Sequence, residues 1–241
     1  MRLDHIGGIA ALTCAGTYIF GFALLVTVLS GLGFGTNEVD AAAVVRFSVD
    51  HTAIMITWNT VIYIVNAVAL AVLVVTLAGR LKSRAPHWSA LTRAFGLIWS
   101  TLVLAAGMIA NVATERAVSL AERDFDRAVQ TWDILHAVEL GLGGGNEIAG
   151  GVWILCVSLA GRVRPAFGKA VVALGLLTGV SGMLTILPPL GELAGSVFGL
   201  GAIAWFIAVG LRLILKTGTA APATRRRNRP PQDPQSLIKA D

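Results

Sequence analysis

Residues 52–79 read TAIMITWNTVIYIVNAVALAVLVVTLAG, a run of apolar and small residues without one charged side chain. A helix needs roughly 20 such residues to cross the hydrocarbon core of a bilayer. Charge-free runs of similar length occupy residues 6–37, 94–114, 170–191 and 193–211. Together these runs indicate a membrane protein that crosses the bilayer several times.

The amino-acid composition points to the same class. Of the 241 residues, 55% are hydrophobic and 14% are charged, and the mean hydropathy is +0.74. Soluble domains carry about 25% charged residues, which cover their surface. A soluble enzyme, a secreted domain and a nucleic-acid-binding protein are therefore excluded. Because the apolar runs are continuous rather than alternating, the expected fold is all-α and not a β-barrel.

We predict a bundle of six transmembrane helices within residues 1–216. The expected spans are 7–33, 52–79, 92–115, 129–160, 167–189 and 193–215. Residues 116–128 space their apolar side chains at a helical period, which predicts a continuous helix between the third and fourth spans. Residues 217–241 form a basic tail with several prolines, which we expect to be disordered.

The placement of Lys and Arg predicts the orientation. Fifteen of the 19 basic residues lie in the termini and in one set of loops, and such loops face the cytoplasm. Both termini are therefore expected in the cytoplasm, and no nucleic acid is needed to explain the net positive charge. The basic cluster of the tail is expected near anionic lipid headgroups, and it consists of Arg225, Arg226, Arg227 and Arg229.

The fourth span places ionisable side chains inside the membrane. It reads WDILHAVELGLGGGNEIAGGVW over residues 132–153. At about 100° per residue, its polar side chains fall within one arc of about 140°. These side chains are Asp133, His136, Glu139, Asn146 and Glu147.

Polar side chains also line one face of the second and third spans. Asn59, Tyr63 and Asn66 share a face of the second span, and Asn111 lies on the third. A polar side chain that faces lipid without a hydrogen-bond partner costs several kcal/mol. We therefore expect the polar faces of the second and third spans to converge on the polar face of the fourth. The sequence thus predicts an outward-opening polar cavity between these three helices. Alternatively, the asparagines only join helices by hydrogen bonds.

The centre of the fourth span has two unusual features. Glu147 lies near the bilayer centre with no Lys or Arg at its depth, so we expect it to bind a proton or a cation. Before it, the run Gly143-Gly144-Gly145 weakens the helix. This run predicts either a local unwinding, as in the broken helices of transporters, or a flat packing surface.

Other residues bear on which partners or cofactors the protein could bind. Gly191, Gly195 and Gly199 form a row that suits packing inside the chain, a partner helix or a second copy. Haem between His51 and His136 is disfavoured, because His51 lies at the lipid–water boundary. We expect no cofactor, and no ligand spacing predicts a metal site.

Three segments carry a family resemblance. The loop from Arg80 to Trp88 leads into Leu91-Thr92-Arg93-Ala94-Phe95, the segment WDILH precedes the glycine-rich fourth span, and residues 158–165 read SLAGRVRP. Over most of residues 8–215 the chain resembles the bacterial integral membrane proteins grouped as domain of unknown function 4386. The resemblance implies six helices and a bacterial plasma (inner) membrane. It implies no activity, because the family has none established.

Our leading hypothesis is a protein that binds or transports a small molecule, linked to protons at Glu147. The first alternative is an intramembrane enzyme acting on a lipid or isoprenoid, with Glu147 as general acid. The second is a non-catalytic accessory subunit that docks through its glycine rows. The residues expected to line the site are Glu147, Asn146, Glu139, His136, Asn59, Asn66, Tyr63 and Asn111.

Overall fold

The computed structural model describes residues 3–36, 39–83, 85–144, 147–163 and 168–215. Within these ranges the chain forms helices and no strand, which confirms the all-α class. The predictions for Gly145 and Asn146 lie outside the described residues, as do those for the tail and its arginines.

The helices follow the apolar runs of the sequence. Two segments, Thr60–Val65 and Leu140–Gly144, are π-helical. A short 3-10 turn occupies Ser30–Leu32. The α-helices in the described ranges are α1 (Leu3–Val26), α2 (Ala41–Asp50), α3 (Thr52–Asn59), α4 (Asn66–Leu81), α5 (Pro86–Ala121), α6 (Phe125–Glu139), α7 (Ile148–Val163), α8 (Lys169–Leu184) and α9 (Gly191–Leu215).

The lengths and composition of the helices indicate a multi-pass membrane protein. α8 is apolar but has only 16 residues, fewer than the predicted span 167–189. Large apolar side chains point away from the bundle where lipid would lie, with Leu193 exposed by 68% and Leu200 by 66%. In the described part of the chain, five stretches are long and apolar enough to cross a membrane: Leu3–Val26, Thr52–Leu81, Pro86–Ala121, Phe125–Arg162 and Gly191–Leu215.

The packing of the helices closes a ring. α1 packs against α4 and α9, α4 against α5, and α5 against both α6 and α7. α7 then packs against α8, and α8 against α9. The predicted second, third and fourth spans correspond to α3–α4, α5 and α6–α7, so they are neighbours in the bundle.

Two hydrophobic cores fill the bundle. The first surrounds Trp99, whose ring lies 5.6 Å from that of Trp153 and 6.3 Å from that of Phe206. The second surrounds Trp58 and Trp132 and includes residues from the turn after α1 and from α2. The candidate site described below lies where these two cores meet.

The loop between the third and fourth spans differs from the prediction. Helix continues through residues 116–121 and 125–128 as predicted, but it is interrupted between them, because α5 ends at Ala121 and α6 begins at Phe125. Asp124 starts the new helix, since its Oδ1 accepts a hydrogen bond from the Arg127 N–H at 3.0 Å. Aspartate at this position satisfies a backbone donor that would otherwise be left free, which favours a helix start.

The glycine row of α9 does not form one free surface. Gly199 is buried, and a Cβ there would lie 2.8 Å from the ring of Phe22 in α1. At Gly195, by contrast, a Cβ would meet no described atom within 4 Å. The row is therefore divided between packing inside the chain and an open position. It does not present the continuous face that docking through all three glycines requires.

Candidate functional site

A buried carboxylate forms the centre of the site. Glu139, the last residue of α6, is only 4% exposed. Its Oε1 accepts a hydrogen bond from the Tyr63 hydroxyl at 2.7 Å, and its Oε2 lies 2.8 Å from His136 Nδ1. Both carboxylate oxygens are thus in contact with a group that can carry a proton. The structure brings together three of the predicted site residues.

Two irregular helical segments position these side chains. Tyr63 lies in the π-helical segment between α3 and α4, and Glu139 immediately precedes the one after α6. In that second segment Gly143 has φ +128°, a value that residues with a side chain rarely adopt. The helix is therefore interrupted at Gly143, as the unwinding hypothesis expected. Short π segments are frequent at functional sites.

A glycine of α5 lets Tyr63 approach. A Cβ at Gly107 would clash with the Cβ of Tyr63. Because core packing tolerates no such overlap, any side chain at this position would push Tyr63 away from Glu139. The close contact between α5 and the π segment therefore depends on this glycine.

Aromatic rings surround His136. The indole of Trp132 stacks on the imidazole with 4.6 Å between ring centroids and 23° between planes. Phe34 meets the imidazole edge-on at 6.1 Å and lies 5.1 Å from Trp58. The Nε2 atom of His136 is buried and has no hydrogen-bond partner among the residues that the structure describes. One nitrogen of the imidazole is therefore satisfied and the other is not.

Phe34 reaches the site from the turn that follows α1. It lies between Gly33 and Gly35, whose φ angles are +79° and +81°. These left-handed conformations favour glycine and let the chain bend back over the bundle. Sequence reasoning missed Phe34. The signal was the segment Gly-Phe-Gly at residues 33–35, where the first apolar run ends.

Glu147 lies deeper along the same span. Its backbone N–H donates a hydrogen bond to Thr185 Oγ1 at 3.0 Å, which ties the start of α7 to the end of α8. Its carboxyl follows that of Glu139 by eight residues along the chain, with the interruption at Gly143 between them.

Two of the predicted asparagines join the second span to α5. Asn59 Nδ2 donates to Thr114 Oγ1 at 3.5 Å, and Asn111 Nδ2 donates to Thr60 Oγ1 at 3.1 Å. The side-chain amide oxygen of Asn111, Oδ1, is buried without a hydrogen-bond partner in the described ranges. These contacts lie between the predicted second and third spans, and neither reaches Glu139 directly.

Asn66 does not face the predicted cavity. Its Nδ2 donates to Thr17 Oγ1 at 2.6 Å and to the Cys14 carbonyl at 3.4 Å, so the side chain faces α1. The prediction placed Asn66 and Tyr63 on one face because it assumed an α-helical period throughout. The π-helical segment has wider turns, which changes the angle between residues before and after it. Asn66 therefore joins α4 to α1.

Asp133 is separated from the site. It is exposed on α6, although the helical arc placed it beside His136 and Glu139. Its side chain borders a shallow depression on the surface, which contains none of Tyr63, His136 and Glu139. The other residues around this depression are Ala41, Asp124, Asp126, Arg127, Val129 and Gln130.

His51 is the second histidine that was considered as a haem ligand. It lies between α2 and α3, and its ring packs 4.8 Å from that of Phe47. In the part of the chain that the structure describes, no three His, Cys, Asp or Glu side chains come together as a metal site requires.

The sequence matches no protein-family model, no curated protein and no solved structure. The side chains of the site themselves indicate its chemistry. A carboxylate, a phenol and an imidazole in direct contact can hold a proton and pass it along. They can also hold a cation, because a buried carboxylate without a Lys or Arg partner favours positive charge.

Proposed function

We propose that the protein is a six-span membrane protein that carries protons across the bilayer through the site around Glu139 and binds a small molecule at that site. The observation that carries this proposal is the buried Glu139 carboxylate held between Tyr63 and His136. Buried ionisable side chains are costly in a membrane and usually serve an ion or proton pathway. Glutamine would satisfy packing at lower cost, so the retained acid argues for a role in proton or cation binding.

The order of the groups suggests a route for the proton. His136 contacts Glu139, and Glu139 accepts a hydrogen bond from Tyr63. A proton accepted by His136 would pass to Glu139 and on to Tyr63. We place Glu147, which the sequence makes the protonatable centre, further along this path, because it follows Glu139 by eight residues on the same predicted span.

Proton flux in reconstituted liposomes tests this function. We expect wild-type protein to dissipate an imposed pH difference, read by trapped pyranine with valinomycin and K⁺ for charge balance, faster than empty liposomes. Glu139→Gln keeps the shape but removes the titrating group, so the protein-dependent rate should fall at least about tenfold. Glu115→Gln is the matched control, because Glu115 is exposed on α5.

Two results would contradict the proposal. One is a wild-type rate equal to that of empty liposomes. The other is a Glu139→Gln rate equal to that of the Glu115→Gln control, because the buried carboxylate would then carry no proton. Circular dichroism and gel filtration of each variant establish that it is folded before flux is compared.

We propose further that both termini lie in the cytoplasm. The bias of Lys and Arg supports this orientation, and an ion pair of 3.2 Å between Asp4 and Arg80 holds the start of α1 beside the end of α4. With the two native cysteines replaced by serine, a cysteine at Arg123 should react with an impermeant maleimide on intact cells. A cysteine at Ser83 should not, and the reverse pattern would invert the topology.

Kinship with the domain of unknown function 4386 proteins is likewise a proposal. It rests on the three sequence segments that resemble that family. A solved structure of a member of the family would test it, and a different helix order around α5 would contradict it.

A further inference from the structure

The candidate site combines negative charge with aromatic faces. In the described ranges, neither Glu139 nor Glu147 pairs with a Lys or Arg. Trp132 and Phe34 contact the ring of His136 beside the Glu139 carboxylate, and Trp58 packs behind Phe34. Cations are attracted to the faces of aromatic rings, most strongly to tryptophan. Such surroundings suit a positively charged group with apolar substituents.

We propose that this site binds an organic monocation, such as a substituted ammonium, and that the His136 side chain occupies the place the cation takes. The proposal rests on the proposed function, because proton and cation would share the Glu139 carboxylate. The ligand class follows from the side chains around His136. The Glu139 carboxylate supplies negative charge, and Trp132 and Phe34 supply apolar surface. An anion would meet the Glu139 carboxylate and no Lys or Arg in the described part of the site.

His136 behaves as a tethered occupant of the site. Its Nδ1 contacts Glu139 at 2.8 Å and its ring stacks on Trp132, as a bound cation would. Its Nε2, however, is buried without a partner in the described ranges. A buried polar group without a partner is unfavourable, because it has lost its hydrogen bonds to water without gaining others. Displacing the imidazole would relieve this cost, so a ligand can compete with it.

The turn that carries Phe34 provides a way in. Phe34 is only partly buried, and the glycines on both sides give the turn backbone conformations that other residues rarely adopt. Among the described residues, the titratable group in contact with His136 is Glu139, and Tyr63 follows as the hydrogen-bond donor to Glu139. Phe34, Trp58 and Trp132 contribute none. Competition between cation and proton is therefore confined to these groups.

Binding of benzyltrimethylammonium to the full-length protein in nanodiscs tests the proposal. Tryptophan fluorescence and calorimetry should show saturable binding of this aromatic cation. Neopentylbenzene has the same shape with carbon in place of the charged nitrogen. We expect it to bind at least about tenfold more weakly at the site, because it gains neither the carboxylate nor the cation–π attraction.

Variants identify the site. Glu139→Gln should weaken binding of the cation at least about tenfold, whereas Glu115→Gln should leave it unchanged. His136→Ala should tighten binding at least about threefold, because it removes the competing imidazole. A variant that merely loses its fold cannot bind more tightly, so this gain would not follow from a structural role alone.

The outcomes separate this inference from the proposed function. Absence of saturable binding by wild type, or weaker binding by His136→Ala, overturns the organic-cation site. If proton flux still depends on Glu139, the proposed function survives that result. Cation binding that depends on Glu139 without proton flux supports the ligand class and overturns the link to protons.

Discussion

Two buried polar clusters begin three residues apart on the second span, and they differ in chemistry. Asn66 meets a hydroxyl and a backbone carbonyl of α1, both neutral and both within hydrogen-bond distance. Tyr63 instead meets Glu139, which also contacts His136. The first cluster satisfies its donors with short-range contacts. The second keeps an ionisable acid buried and leaves Nε2 of the histidine without a described partner.

This difference teaches how to tell a structural polar contact from a functional one. Neutral amides join transmembrane helices at low cost, and nothing more needs to be explained at Asn66. A buried acid costs more than an amide and adds nothing to packing that glutamine could not supply. This difference is why the proposed ligand or proton chemistry is placed at the Glu139 cluster, whereas the Asn66 cluster joins helices.

We expect the largest effect on stability from a substitution in α5 that displaces Tyr63, a member of the second cluster. Gly107→Ala places a methyl group against Tyr63, and overpacking of this kind lowers the free energy of unfolding by about 1–3 kcal/mol. Gly195→Ala is the control, since its Cβ meets no described atom and alanine favours a helix by up to about 1 kcal/mol. Unfolding in mixed micelles measures both. Equal stability of the two variants would mean that Gly107 does not position Tyr63.

A smaller effect is expected at the first cluster. Asn66→Leu removes the hydrogen bonds to α1 and should lower the free energy of unfolding by about 1 kcal/mol, since such bonds in membranes contribute roughly 0.6 kcal/mol on average. Proton flux should stay at the wild-type rate once folding is verified. A loss of flux as large as that of Glu139→Gln would remove the distinction between the two clusters.

The smallest effect on stability is expected for Tyr63→Phe. It deletes one hydroxyl and keeps the ring, so the free energy of unfolding should change by less than about 1 kcal/mol. Proton flux should nevertheless fall at least about threefold, because Glu139 loses the hydrogen bond on Oε1. Flux at the wild-type rate would exclude the Tyr63 hydroxyl from the proton path.

The sequence predicted the parts of this molecule that depend on hydrophobic length. Long charge-free runs became long helices, and the polar residues of the fourth span predicted Glu139 and His136 as neighbours one helical turn apart. Face assignments held for Tyr63, His136 and Glu139, but failed for Asp133, which is exposed on α6. They failed also at Asn66, because residues 60–65 form a π segment that no charge or hydrophobic pattern revealed.

Contacts between distant segments were the second limit. Phe34 reaches His136 through a turn that depends on two left-handed glycines, and a periodicity argument cannot see where such a turn directs the chain. The length of α8 was a third limit, since apolar composition continues past Leu184 although the helix does not. Composition thus predicts where a helix can form, and local backbone geometry decides where it ends.

The interruption at Gly143 also has a mechanical consequence. A continuous helix transmits rotation and bending along its whole length, as a stiff rod does. Here α6 packs against α5, whereas α7 packs against both α5 and α8, and backbone atoms of Gly151 and Gly179 come close together between α7 and α8. Because of the interruption, α6 and α7 do not form one stiff rod, and Gly143 is the pivot about which the angle between them would change. Glu139 and Glu147 lie on opposite sides of that pivot, so a rotation about Gly143 would change the separation of the two acids and leave both halves folded.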